Sequence, residues 1–169
     1  MSEKKNLLIL GAGQYGQVAF ETAQAMACFE RIDFLDDRNG IAVGKMEDYR
    51  RFAAAYSCAF VAMGNPELRL GWLEKLEAAG YELAVLIHPM AWVSPSAVLD
   101  CGVMVEPMAV VQAQAEIGRG SLICAGAVVN HTAVVAEGCQ IDCGSVVPSN
   151  TKVGPMTKIF CGSVAGEVR

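Results

Sequence analysis

Every sixth residue from Ile87 to Ala165 is apolar, and that spacing constrains the second half of this chain more than any other feature. The fourteen positions are Ile87, Val93, Leu99, Val105, Val111, Ile117, Ile123, Val129, Val135, Ile141, Val147, Val153, Ile159 and Ala165, with no insertion breaking the register. With 53% of residues apolar, such a run in one register arises by chance roughly once in ten thousand, so a repeat architecture is considered first. Two residues before each position from Val93 onward lies a column that begins Ala91, Ala97, Val103, Ala109 and ends Thr151, Thr157, Ser163; in it only Val103 is larger than threonine.

A period of six fits neither a helix at 3.6 nor a strand at 2. It fits a coil with three short flat faces, each consuming six residues. The aliphatic residue of each hexad points inward, and the small residue is expected to let the chain turn a corner. Eighteen residues then make one rung, stacked about 4.8 Å above the last by parallel pairing. Residues 87–169 predict a parallel β-helix of about four and a half coils.

Residues 1–86 carry 21 charged side chains and residues 87–169 only 10. A sheet surface so poor in charge predicts burial against copies of itself. The net charge of −5 argues against nucleic acid and against insertion at an anionic membrane surface, and no apolar stretch approaches the ~18 residues of a membrane span. Residues 1–6 include two lysines, but the apolar run at 7–10 meets Gly11 too soon for a signal peptide. Seven cysteines without CxxC spacing read as reduced thiols in a cytoplasm. Cys139 fills a small-residue slot, and Cys143 and Cys161, eighteen apart, are expected to pack on adjacent rungs.

The first half alternates strand and helix signals: strands at 6–10, 32–35, 58–63 and 83–87, and helices at 17–26, 46–56 and 66–79. Asn65 and Pro66 form a strong helix start, and Gly80 a stop. Such alternation predicts a parallel sheet with its ligand crevice at the carboxyl ends of the strands. Gly11, Gly13 and Gly16 form a GxGxxG directly after the first strand, which with the following helix N-terminus favours a phosphate. Asp36 lies twenty residues after Gly16, where a ribose-binding acid is expected. A unit of 86 residues lacks a second mononucleotide half, so a nucleotide or nucleotide-sugar fits better than NAD. A glycine turn that serves only helix packing stays open beside these readings.

His131 follows the inward Val129 by two positions, and one rung either way are Ala113 and Ser149. It stands on the coil surface among small residues, with room for a substrate. Histidine titrates near neutral pH and is the natural general base there; a plain surface histidine is the alternative. His88 beside Pro89 reads as structural, and two histidines are too few for a three-histidine metal site.

These residues carry a resemblance. The hexad array, the opening ILGAGQYGQV, the FLDD after strand two, the MGNPELR after strand three and the junction IHPMAWVSPSAVL resemble the two-domain hexapeptide-repeat sugar acyltransferases. That family comprises UDP-amino-sugar N-acetyltransferases and sialic acid O-acetyltransferases of bacterial surface-glycan pathways. The resemblance implies a Rossmann-like nucleotide-sugar-binding domain over 1–86 and a left-handed β-helix acyltransferase domain over 87–169. It also implies a homotrimer, acetyl-CoA in the groove between neighbouring β-helices, and no metal. His131 matches the catalytic histidine, taking a proton from the sugar amine or hydroxyl as it attacks the thioester. Ser149 or Asn150 matches the oxyanion amide. Beside the resemblance, Lys152 and Lys158 are candidates to meet CoA phosphates, with plain solvation on the coil surface as the other reading. On the sugar-nucleotide side the matching positions are Gly11, Gly13, Tyr15, Gly16, Asp36, Asp37, Gly64 and Asn65.

The departures from the pattern are specific. Tyr15 stands where the family usually has a glycine-loop histidine, Thr132 where an acid often orients the catalytic histidine, Gln140 where a second histidine is common, and Ser149 where the oxyanion glycine lies. The family usually carries more coils, which would form part of the CoA groove, and this chain stops at Arg169. A non-catalytic, trimeric nucleotide- or sugar-binding scaffold is therefore the alternative; an NAD-linked oxidoreductase is a more distant one.

Overall fold

In the computed structural model residues 5–166 are described. Residues 1–4 and 167–169, which hold part of the lysine-bearing start and the final residue of the coil count, lie outside the described residues. The chain divides into two compact units, Met1–Leu86 and Ile87–Arg169.

The first unit is a parallel sheet in the order β2-β1-β3-β4, with β1 at Lys5–Leu10, β2 at Phe29–Leu35, β3 at Cys58–Val61 and β4 at Glu82–Leu83. Helices α1, α2 and α3 span Gln14–Met26, Tyr49–Phe52 and Pro66–Ala78. Leu7, Leu8, Ile9 and Leu10 are all fully buried, as expected for a central parallel strand covered on both faces. The chain leaves β1 for β2 on one side and returns to β3 on the other. The switch point, where such sheets bind ligands, therefore lies between the carboxyl ends of β1 and β3. Asn65 caps α3 as its sequence predicts, accepting the Leu68 N–H at 2.8 Å, and Gly80 follows the helix with φ of 87°.

Two expected elements break. The pattern predicts one helix over 46–56; the structure has a 3-10 turn at Met46–Asp48, α2, and then a tight turn. The Ala55 and Tyr56 N–H groups both return to the Phe52 carbonyl, which lets Tyr56 bury its ring and donate its hydroxyl to Asp33 at 2.7 Å. That tertiary contact overrides the helix propensity of the alanines. The apolar run 83–87 also splits: Glu82–Leu83 ends the first sheet, and Leu86–Ile87 begins the β-helix. Leu83 and Leu86 are both buried, so apolar composition hides the boundary.

The second unit is a left-handed parallel β-helix. Its three sheets are stacks of two-residue strands. Trp92 pairs Val110, Val110 pairs Val128 and Val128 pairs Val146, a constant step of eighteen residues. Val105, Val111, Ile123, Val129, Ile141 and Val147 are fully buried, whereas Val93, Leu99 and Ile159 near the ends are half-buried, as the ends of a solenoid must be.

The corners differ from expectation. From Gly102 to Gly162 every sixth residue is left-handed, with φ between 54° and 70°. Six of these are glycines, and the other five are Met108, Gln114, Thr132, Asn150 and Met156. Each lies one residue before the small column. The small residues, among them Ala109, Ala115, Ser121, Ala127, Ala133 and Cys139, are fully buried. They are small because the interior is narrow beside each corner; the corner itself is made by the residue before.

Candidate functional site

The glycine loop closes the carboxyl end of β1. A Cβ on Gly16 would lie 2.2 Å from the Gly11 carbonyl oxygen, and one on Gly11 would lie 2.9 Å from that of Ala62. Those two glycines are demanded by the close approach of loop, helix and β3. A Cβ on Gly13 would meet nothing within 4 Å, so protein packing does not explain that glycine, and the backbone there is open to a ligand. Gly13 is the N-cap of α1 with no side-chain cap. It lines a cleft of about 420 Å³ with Asp36, Arg38, Asn39 and Gly40.

Asp36 is used differently from a simple ribose acceptor. Its carboxylate accepts the N–H groups of Ala12 and Arg38 at 2.8 Å and of Asn39 at 2.9 Å. The Ala12 bond foremost holds its carboxyl below the usual range. With three of roughly four lone-pair positions engaged, Asp36 clamps the glycine loop to the loop after β2. Asn39 adds a bond from Nδ2 to the Ala12 carbonyl at 2.7 Å. Asp37 instead accepts the Met46 N–H at 3.1 Å. The Tyr15 ring lies about 3.7 Å from where a Gly64 Cβ would stand, joining glycine loop to β3 loop across the switch point. Arg69 escapes a reading from sequence, because arginine normally faces water. It is fully buried and donates to the carbonyls of Met63 at 2.5 Å and Gly64 at 3.2 Å, fixing the loop that carries Gly64 and Asn65.

In the β-helix His131 is exposed, at the corner after Val128–Val129. Ser149, half-buried, and Asn150 stand one coil further on. The Thr132 hydroxyl lies 2.5 Å from the His131 carbonyl, 2.9 Å from Asn150 Oδ1 and 3.4 Å from His131 Nδ1. Along the helix a corner N–H normally donates to the carbonyl nineteen residues back: Gly126 to Pro107, Thr132 to Ala113, Gly138 to Arg119, Gly144 to Ala125. Met108 and Gln114 depart from the series, donating to the Met90 carbonyl and the Ser96 hydroxyl, and among the described residues no oxygen takes the Asn150 N–H.

The two candidate lysines do not converge. Lys152 begins a strand paired to Val134, on the face that follows His131. Lys158 lies on the next face, pairs with Asp142 at 3.1 Å and stacks near Phe160. Cys139 is buried as expected, but Cys143 and Cys161 are exposed rather than packed, because their position falls on an outer turn. Partial burial and the neighbouring Glu106 and Asp142 carboxylates push the Cys143 thiol up. Among the described residues no group of three or more His, Cys, Asp or Glu side chains could hold a metal ion, and no helix is long and apolar enough to cross a membrane.

The family model of the PglD N-terminal domain matches residues 6–76. The acetyltransferase domain of PglB from Neisseria gonorrhoeae FA1090, solved in complex with acetyl coenzyme A, is 33% identical, over 96% of this chain and 82% of that one, with a TM-score of 0.91. This chain belongs to the two-domain hexapeptide-repeat sugar acyltransferases. Two less similar solved structures share the fold. A variant of perosamine N-acetyltransferase from Caulobacter crescentus, in complex with CoA and GDP-perosamine, is 24% identical over 95% of this chain and 91% of that one, with a TM-score of 0.68. WeeI from Acinetobacter baumannii AYE is 16% identical over 95% and 94%, with a TM-score of 0.61.

Proposed function

We propose that this chain transfers an acetyl group from acetyl-CoA to an amine or hydroxyl of a nucleotide-linked sugar, as a cytoplasmic homotrimer serving bacterial surface-glycan synthesis. The observation that carries the reading is the pairing of exposed His131 with an open Asn150 N–H one coil away. His131 removes a proton from the acceptor as its nitrogen or oxygen bonds to the thioester carbonyl carbon. The carbonyl oxygen gathers negative charge, which the Asn150 N–H, with that of Ser149 beside it, stabilises. The carbon–sulfur bond then breaks, and the histidine returns the proton to the CoA thiolate. The nucleotide phosphates lie at the open backbone of Gly13 and the α1 N-terminus, with Arg38 at the cleft mouth. The bound acetyl coenzyme A and GDP-perosamine of the relatives support both ligand classes. Exposed Trp92, Val98 and Met108 on the β-helix support burial against copies of the chain.

Calorimetric titration of acetyl-CoA into the purified protein, with the oligomer mass measured on the same sample, tests this reading. Micromolar binding at one equivalent per protomer of a trimer is the expected result; a folded trimer that binds a nucleotide-sugar but no acetyl-CoA overturns it. The scaffold reading draws on Gln140, which is buried rather than open to a substrate. His131-dependent turnover overturns that one.

A further inference from the structure

We propose that Cys143 and Cys161 are a modification site: a dithiol that a peroxide converts to a reversible disulfide between two successive coils. The two positions are eighteen residues apart, and no other two of the seven cysteines share that spacing. Each directly precedes a left-handed corner glycine, Gly144 with φ of 65° and Gly162 with φ of 64°. The corners are in register, since the Gly144 N–H donates to the Ala125 carbonyl and the Gly162 N–H to that of Cys143, both at 3.0 Å. Matching backbone one coil apart points the two Cα–Cβ bonds the same way and separates the Cα atoms by about 4.8 Å. That lies inside the roughly 4.4–6.8 Å range of a disulfide, so joining the sulfurs needs side-chain rotation and little backbone movement.

The side chains already meet at this corner. Asp142 accepts the Cys143 N–H at 3.0 Å, the Lys158 ammonium at 3.1 Å and the Cys161 thiol. The Cys161 side chain therefore reaches the coil that carries Cys143. Both thiols are exposed, whereas Cys58, Cys124 and Cys139 are buried. A Cβ at Gly144 or Gly162 would meet nothing within 4 Å, so the corner has room to adjust. One thiolate attacks a peroxide oxygen; the O–O bond breaks, hydroxide leaves and a sulfenic acid remains. The partner sulfur then attacks the sulfenic sulfur, and the S–S bond forms as the S–O bond breaks and water leaves. The two thiols lose two electrons and two protons, and hydrogen peroxide becomes two waters. The ring so closed is one whole coil and contains Ser149 and Asn150. An exposed bridge of this kind is labile and is reduced again by thiols. It forms whether or not the chain transfers acetyl groups.

Mass spectrometry of the purified full chain, treated with equimolar hydrogen peroxide, alkylated and digested with trypsin without reduction, tests this. Cuts after Arg119, Lys152 and Lys158 place the two cysteines on different peptides. The expected result is these two peptides linked through Cys143 and Cys161, from a species that runs as a single chain on a denaturing, non-reducing gel. Dithiothreitol should separate them. Oxidation should raise Tm by roughly 5 °C over the Cys143→Ser or Cys161→Ser chain treated alike, because the bridge restricts the unfolded state. Both variants change a surface side chain and should melt within roughly 1 °C of the reduced parent. Unlinked cysteines at both positions, a bridge only between chains, or a bridged chain with no gain in Tm overturns the proposal.

Discussion

Two glycines of the β-helix separate two physical costs. Gly118 has ordinary backbone angles, but a Cβ there would lie 2.6 Å from both the Ala136 carbonyl carbon and the Glu137 nitrogen. Ordinary contact begins near 3.4 Å, so the neighbouring coil would have to retreat by most of an ångström. That coil is held by bonds from the Ala136 N–H to Val153 at 3.0 Å and from the Gly138 N–H to Arg119 at 2.8 Å. Gly118→Ala therefore falls at the upper end of overpacking costs, about 3 kcal/mol. Gly144 is the converse, with φ of 65° and nothing within 4 Å of its absent Cβ. Left-handed strain of roughly 1–2 kcal/mol, offset by the reduced entropy of the unfolded chain, leaves a cost of about 1 kcal/mol for Gly144→Ala. Differential scanning calorimetry at one protein concentration should show Tm losses of roughly 6–12 °C for Gly118→Ala and roughly 2–4 °C for Gly144→Ala. Equal losses, or the reverse order, would refute the assignment of the first to coil-on-coil contact and of the second to corner conformation.

Three further outcomes follow from single side chains. Ser121 is fully buried, donating to the Ala136 carbonyl at 2.9 Å and accepting the Cys139 N–H at 3.1 Å; Ser121→Ala strands both partners and should cost about 2 kcal/mol by urea unfolding. Glu106 is buried with its carboxyl pushed up by desolvation, so the folded chain keeps a proton that the unfolded chain has released, and stability falls as pH rises from the ordinary ~4.3 through the raised value. Glu106→Gln should therefore melt above the parent at neutral pH, the difference vanishing below about pH 4. Asp36 is the opposite case, its carboxyl held down chiefly by the Ala12 N–H; its contribution is present above the ordinary ~3.9 and lost as pH falls through the lowered value. Asp36→Asn should weaken nucleotide-sugar binding at neutral pH, measured by calorimetry, and should match the parent in acid unfolding once Asp36 is protonated.

The β-helix was legible because one column of aliphatic residues repeats without interruption, and a period of six has few physical interpretations. What made the corners was not legible, since Met108, Gln114 and Met156 carry no mark of a positive φ, whereas a run of small residues beside them does catch the eye. Lys152 and Lys158 are six apart, so the same period already places them on successive faces. The position of Asp36 after the second strand was readable, but its engagement by Ala12, Arg38 and Asn39 depends on how two loops meet in space. Arg69 shows the same limit: a charged residue on a helix gives no sign of burial until the carbonyls of Met63 and Gly64 are seen around it. At the candidate site His131 could be singled out from the coil register, while the hydroxyl contact of Thr132 with Asn150 joins neighbouring coils and needs side-chain geometry.

The measurement that bears most directly on function is mass-spectrometric detection of acetylated product from acetyl-CoA and a panel of UDP- and GDP-linked amino and hydroxy sugars. Mass detection avoids a thiol reporter, which the seven cysteines would consume. Product formed by the parent chain and reduced at least a hundredfold in His131→Gln is the expected result. No product from any acceptor, or turnover unchanged in His131→Gln, would contradict the acetyltransferase assignment.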